Sequence, residues 1–275
     1  MAEEGDRPFV IDCGTGVPVV LVHGQPGVAG DWRPVVDRLA TITDPPLRTL
    51  VPDRPGWGSS PDTPTGVKGN ADWLEQALSS LVGDEPVVVA GHSFGGGVAI
   101  RLALDHPERA RALVLVSPIG RDEALSRLDR VLAHPQVGER IVRGGLFAAR
   151  RVARVVRRRF EQSERHAGAA QAALVLQLAG EKPFSDASVH SFLVEQRALV
   201  NETPDLARAL PSLRVPAVVL AGAGDRIVSA AASRALAASI PGAELVTIQG
   251  AGHLLPFEAP EVVAATIARY VRLTG

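Results

Sequence analysis

Cysteine, one-signed charge and long apolar runs are all scarce in this chain. Cys13 stands alone among 275 residues, so no internal disulfide can form, and no neighbouring motif supplies a base that would make it a nucleophile. The formal net charge is −1, which leaves no global field to steer nucleic acid or anionic substrates. Charged residues, glycine or proline interrupt every hydrophobic stretch well before the membrane-spanning length of about 18 residues, so no integral membrane segment is expected. The start MAEEGDRPFV has neither the basic region nor the apolar run of a secretory leader. With the single cysteine, this reads as a cytoplasmic chain. No His/Cys/carboxylate cluster has metal-ligand spacing, and no internal repeat or low-complexity tract is visible. No metal and no cofactor are called for.

What remains is an ordinary globular composition, 46% hydrophobic and 21% charged, with 27 glycines and 21 prolines for turns. The length suits one large core with an insertion. Short, almost wholly apolar runs recur at Val17–Val22, Leu47–Val51, Pro86–Ala90, Ala112–Val116, Pro216–Ala221 and Leu245–Ile248, as strands buried on both faces of a parallel sheet require. Helical patterns lie between them at about 31–40, 70–82, 94–106, 229–239 and 260–273, several ended by Gly83, Pro107 or Pro241. Such alternation predicts a doubly wound, mostly parallel α/β sheet with right-handed crossovers. Only Phe9–Asp12 offers a strand before Val17. The alternation fails over about 121–210, where helices broken at Pro135, Gly144–Gly145, Gly168, Gly180 and Pro183 are expected. The domain plan is therefore a core first part over 1–120, an inserted helical cap over 121–210, and a core second part over 211–275.

The strongest chemical signal is Gly91-His92-Ser93-Phe94-Gly95, directly after one strand run and directly before a helix. A serine on a sharp strand-to-helix turn projects its hydroxyl, small flanking residues permit the strained close approach, and the helix N-terminus favours developing negative charge. A serine hydroxyl needs a base, and the base needs an orienting group. His253, in Gly250-Ala251-Gly252-His253 after the last strand run, sits where loops at the carboxyl ends of strands converge on the ligand crevice. Asp225, after the run Pro216–Ala221, lies 28 positions before it, enough for one helix and one strand. Asp225 is the candidate orienting acid; its other reading is a turn former or the N-cap of the next helix. The turn His23-Gly24-Gln25-Pro26-Gly27 can present backbone donors to an oxyanion, with the N–H groups of Gln25 and Phe94 as candidates. His23 is read as a brace for that turn.

These motifs, with Asp53-Arg54-Pro55-Gly56-Trp57-Gly58-Ser59-Ser60 between them, resemble the α/β-hydrolase family over about 10–120 and 211–275. The branch that holds epoxide hydrolases, haloalkane dehalogenases, haloperoxidases, small esterases and lactonases is the most similar. The resemblance implies triad roles for Ser93, Asp225 and His253, oxyanion roles for Gln25 and Phe94, and a helical cap. Two departures matter. Epoxide hydrolases and dehalogenases carry Asp where this chain has Ser93, which favours ester chemistry. The short N-terminus implies that one of the family's first two antiparallel strands is missing or displaced. Asp53 is read as structural, and Trp57 either as packing or as a substrate-contacting wall. Six arginines, Arg150, Arg151, Arg154, Arg157, Arg158 and Arg159, surround an apolar stripe. They read as a solvated amphipathic face or as a site for an acidic partner, anionic substrate or membrane surface. The expected partner is a small-molecule substrate and not nucleic acid; the oligomeric state is open. The expected activity is cleavage of a small carboxylic ester or lactone. Carbon–carbon or amide bond hydrolysis by the same triad, or a non-catalytic receptor on the same scaffold, are the alternatives.

Overall fold

A computed structural model describes residues 10–145 and 185–275. Strand β1 (Val10–Gly14) is followed by β2 (Val17–Val22), helix α1 (Arg33–Leu39), β3 (Leu47–Pro52), α2 (Val67–Val82), β4 (Val87–His92) and α3 (Phe94–Asp105). Then come β5 (Ala110–Val116), a short α4 (Arg127–Leu132), the long α5 (Asp186–Ala209), β6 (Ala217–Gly222), α6 (Ala230–Ser239), β7 (Glu244–Ile248), α7 (Leu255–Glu258) and α8 (Pro260–Thr274). Among the described residues, seven strands form one sheet in the order β1-β3-β2-β4-β5-β6-β7. Only β1 runs antiparallel, paired with β3 from Val10↔Pro52 to Gly14↔Arg48. The expected strand at Phe9–Asp12 is thus β1, one residue further along. Residues 1–9, on which any earlier strand of the family would fall, lie outside the described residues.

Each apolar run occupies a strand because its side chains alternate between two hydrophobic layers. Val20 and Val22 join a cluster with Leu74, Val98, Leu199 and Leu236, whereas Val19 and Leu21 face Trp32, Val35, Leu255 and Ile267. Helices α2, α3 and α6 therefore cover one face, and α1, α7 and α8 the other. Each large aliphatic side chain buried this way contributes about 1.5–3 kcal/mol, and this double layer holds the strand ends that carry the loops below.

The helix ends follow local chemistry. Gly83 closes α2 at φ 61°, a conformation that glycine adopts without steric penalty. Ser229 accepts a hydrogen bond from the Ala232 N–H at the start of α6. Asp225 is therefore not that helix's N-cap.

The region after β5 is helical where described. Residues 135–145 are in helical conformation, so Pro135 opens a helix, as proline at the first helical position can, and Gly144–Gly145 are its last described residues. Helix α5 runs 24 residues through Pro204. Its stripe Val189, Leu193, Leu199 and Leu206 is buried, and tertiary packing of that stripe outweighs the cost of one internal proline. The expected interruptions at Gly168, Gly180 and Pro183, and the arginine cluster at 150–159, lie outside the described residues. Among the described residues, no helix is long and apolar enough to cross a membrane.

Candidate active site

The carboxyl ends of β2, β3, β4, β6 and β7 feed five loops that converge on Ser93. The serine has φ 51° and ψ −115°, a left-handed backbone that non-glycine residues adopt at strained, over-determined sites. Three backbone bonds hold it: its N–H donates to Val116 O at 2.9 Å, and its carbonyl accepts from Gly96 N at 3.0 Å and Ile119 N at 3.1 Å. The glycine at 95 is required by crowding, since a Cβ there would lie 2.2 Å from the Val22 carbonyl oxygen. Turn and strand β2 thus touch backbone to backbone, and the elbow carries Ser93 to the sheet edge.

His253 and Asp225 arrive from the β7 and β6 loops. The His253 Nε2 lies 3.1 Å from Ser93 Oγ, and its Nδ1 lies 2.8 Å from Asp225 Oδ2. A carboxylate can only accept, so Nδ1 carries the proton and Nε2 is left to accept from the hydroxyl. The other carboxylate oxygen, Asp225 Oδ1, accepts from the N–H groups of Ile227 at 2.8 Å and Val228 at 2.9 Å. One Asp225 oxygen thus forms its turn and the other meets the histidine. Burial works to raise the Asp225 pKa, and the hydrogen bond and charge of His253 with the two backbone donors outweigh it, leaving it below the ordinary carboxylate value.

His92, the residue before Ser93, lies against His253 with ring centroids 5.0 Å apart and planes tilted by 48°. Its Nε2 donates to the His253 carbonyl oxygen at 2.9 Å. Burial, reinforced by repulsion from His253, pushes its pKa down to about 3, so it brings no charge beside the candidate base at neutral pH.

The turn after β2 abuts the elbow. A Cβ on Gly24 would meet Ser93 Cβ at 3.1 Å and His92 Nδ1 at 2.9 Å. His23 is fully buried beneath the turn; its Nε2 accepts from the Arg54 N–H at 3.0 Å, so its Nδ1 is the donor to Gly24 O at 2.9 Å. Burial, and next the nearby Arg54 charge, hold it neutral with a pKa well below the ordinary value. Phe94 is the first residue of α3, so its backbone N–H has no partner within the helix.

Asp53 is buried, with Oδ1 accepting from Ala29 N and Oδ2 from Ser59 N, both at 2.7 Å. It ties two loops together and does not meet His253. Trp57 is 5% exposed, and its indole N–H donates to Glu195 Oε1 at 2.9 Å, which leaves it no polar handle for a substrate. Among the described residues, no group of three or more His, Cys, Asp or Glu could hold a metal ion.

Two residues without a sequence-derived role, Arg54 and Glu195, form a fully buried ion pair at the back of this turn, with side chains 1% and 0% exposed. Asn70 on α2 joins them, its Oδ1 accepting from Arg54 Nη1 at 3.1 Å. The one signal for Glu195 is its place on the apolar stripe of α5, four positions before the buried Leu199. Cutting one side of such a pair costs about 3–5 kcal/mol.

Comparison with known proteins agrees with this architecture. A family profile described as the alpha/beta hydrolase family matches residues 19–266. A pimeloyl-[acyl-carrier protein] methyl ester esterase of Xanthomonas campestris pv. campestris (strain B100) is 30% identical over 94% of this chain and 96% of its own. A 2-hydroxymuconate semialdehyde hydrolase of Pseudomonas putida is 28% identical over 97% and 91%, respectively. Among solved structures, a thermophilic esterase from Thermogutta terrifontis superposes with a TM-score of 0.74 at 28% identity, covering 97% of this chain and 93% of the esterase.

Proposed function

The chain belongs to the α/β-hydrolase family, and from that premise we propose that it is a serine hydrolase that cleaves a small carboxylic ester or lactone through an acyl-enzyme. The observation that carries this reading is the line Ser93 Oγ, His253 Nε2, His253 Nδ1, Asp225 Oδ2, at 3.1 and 2.8 Å, mounted on a strained elbow. In the proposed mechanism, Oγ attacks the ester carbonyl carbon while Nε2 takes its proton, and Asp225 stabilises the resulting imidazolium. The N–H groups of Gln25 and Phe94 receive the oxyanion. Collapse of the tetrahedral intermediate releases the alcohol with the proton from Nε2. Water, activated by the same nitrogen, then hydrolyses the acyl-enzyme. The described parts of 121–210, α4 and α5 among them, serve as a cap over the substrate, which the anchoring of Gln25 Nε2 on the Phe192 carbonyl of α5 at 2.7 Å supports. Trp57 is assigned to bracing beneath that helix.

Ester or lactone cleavage is favoured by the methyl ester esterase and thermophilic esterase relatives. The P. putida relative favours a second reading, in which the same three residues hydrolyse a carbon–carbon bond. The test is a screen of nitrophenyl esters of graded acyl length with lactones and 2-hydroxymuconate semialdehyde alongside, run on the parent and on Ser93→Ala. Ester turnover that disappears in the variant is expected, with losses on the order of 10⁶ in kcat as seen for nucleophile removal elsewhere. Ester turnover that persists in Ser93→Ala overturns the nucleophile. Turnover of the semialdehyde alone moves the reading to carbon–carbon hydrolysis, and labelling of Ser93 by a fluorophosphonate with no turnover of any compound moves it to a receptor.

A further inference from the structure

We propose that Glu195, on α5, is a positioning residue for the oxyanion site: through Arg54 it holds the peptide group between Gly24 and Gln25 so that the Gln25 N–H faces Ser93. The inference rests on the serine-hydrolase reading above and adds to it a residue from outside the triad and its turns.

The guanidinium of Arg54 has five N–H donors in a rigid fork, and all five have partners. Nε donates to His23 O at 2.9 Å, and Nη2 donates to Gly24 O at 2.8 Å and Glu195 Oε2 at 3.3 Å. Nη1 donates to Asn70 Oδ1 at 3.1 Å and to Glu195 Oε1. The carbonyl that Nη2 holds belongs to the same peptide plane as the Gln25 N–H. In a planar trans peptide the C=O and N–H point in opposite directions, so drawing Gly24 O onto Arg54 turns the Gln25 N–H the other way. The opposite side, which the Gly24 Cα shares with that N–H, is the elbow: a Cβ built on Gly24 would meet His92 Nδ1 at 2.9 Å and Ser93 Cβ at 3.1 Å. The same guanidinium lies 4.7 Å over the ring of Phe94, the residue with the second candidate donor. One buried cation therefore touches both halves of the oxyanion site.

Arg54 has no other ion-pair partner among the described residues, and Glu195 fixes it on two nitrogens. Glu195 is fixed in turn by Trp57 Nε1. Helix α5 also reaches the turn one step away, where the Phe192 carbonyl accepts from Gln25 Nε2. Docking of α5 is thereby coupled to the orientation of a catalytic N–H, which a purely packing contact would not do.

The test measures the rate constant for phosphonylation of Ser93 by a fluorophosphonate probe, which needs no knowledge of the natural substrate. The Oγ–P bond forms as P–F breaks, fluoride leaves, the proton passes to His253, and the phosphoryl oxygen occupies the oxyanion site. Glu195→Gln is expected to slow this step by 10- to 100-fold, on the scale of a displaced oxyanion donor. Circular dichroism should stay unchanged, and the acid limb of the rate's pH profile should stay in place. Trp57→Phe, a milder cut at the same carboxylate, is expected to slow it several-fold and decides the matter by the same criterion if Glu195→Gln does not fold. A folded Glu195→Gln, or in its place a folded Trp57→Phe, that labels within twofold of the parent overturns the proposal. A Ser93→Ala control that still takes up the probe instead overturns the hydrolase reading itself, so the two failures are told apart.

Discussion

His92 donates from Nε2 to the main-chain carbonyl of His253 at 2.9 Å, joining neighbours in space that stand 161 positions apart in the chain. The bond grips the backbone of the candidate base and leaves its ring free for Ser93 and Asp225. A hydrogen bond of this kind contributes about 1 kcal/mol net, so His92→Phe is expected to lower kcat on a turned-over ester about fivefold. KM should hardly move, because the lost contact orients the base and does not touch substrate. Steady-state kinetics with an intact melting curve check this; an unchanged kcat would show that the β7 loop holds His253 unaided.

The two buried aspartates, Asp225 and Asp53, should respond differently to the same amide substitution. Asp225→Asn can donate to Nδ1 and stabilise the wrong imidazole tautomer, which leaves Nε2 unable to accept from Ser93. A loss of about 10⁴ in kcat is expected. Asp53→Asn keeps one acceptor for two backbone donors 2.7 Å away, so its main effect is a lower Tm. If both variants melt like the parent and Asp53→Asn is the slower enzyme, the orienting carboxylate has been misassigned.

Gly24→Ala tests the closeness of the turn to the elbow. The added Cβ would sit 2.9 Å from His92 Nδ1 and 3.1 Å from Ser93 Cβ, so turn and elbow must part by a few tenths of an ångström. A displacement of that size at an oxyanion site is expected to lower kcat by about 10- to 100-fold with a small change in Tm. Near-parent turnover would mean that the turn does not serve the reacting carbonyl.

Acid should unfold this protein earlier than its surface charges suggest. His23 and His92 are buried and neutral, with folded-state pKa values below the unfolded value of about 6.5. Below that pH the unfolded chain binds protons that the folded state refuses, so stability falls as pH drops, by up to about 1.4 kcal/mol per pH unit for each histidine. For His92 the loss continues to about 3. Asp225, lowered in the fold, contributes stability that is present above its unfolded value and is lost as pH falls through its folded value. Urea titrations at pH 7.5, 6.0 and 5.0 check the sign; a flat stability over that range would contradict neutral burial of both histidines.

What the sequence determined by itself is what short-range chemistry encodes. Strand runs were legible because side chains must alternate between two apolar layers, and only edges shifted, as where the run Pro86–Ala90 became Val87–His92. Ser93, His253 and Asp225 were legible because each follows a strand on the sheet's carboxyl edge, where any such loop is brought to the crevice. Tertiary structure alone decided which distant groups pair. Arg54 and Glu195 stand 141 positions apart, and no local preference marks a glutamate in a helix as the partner of a loop arginine. The pairing exists because α5 packs across that loop and excludes water there, and a buried guanidinium must then find acceptors within reach. The same logic divided the aspartates. Asp53 and Asp225 both follow strands, and only the three-dimensional course of the β7 loop set His253 beside one of them.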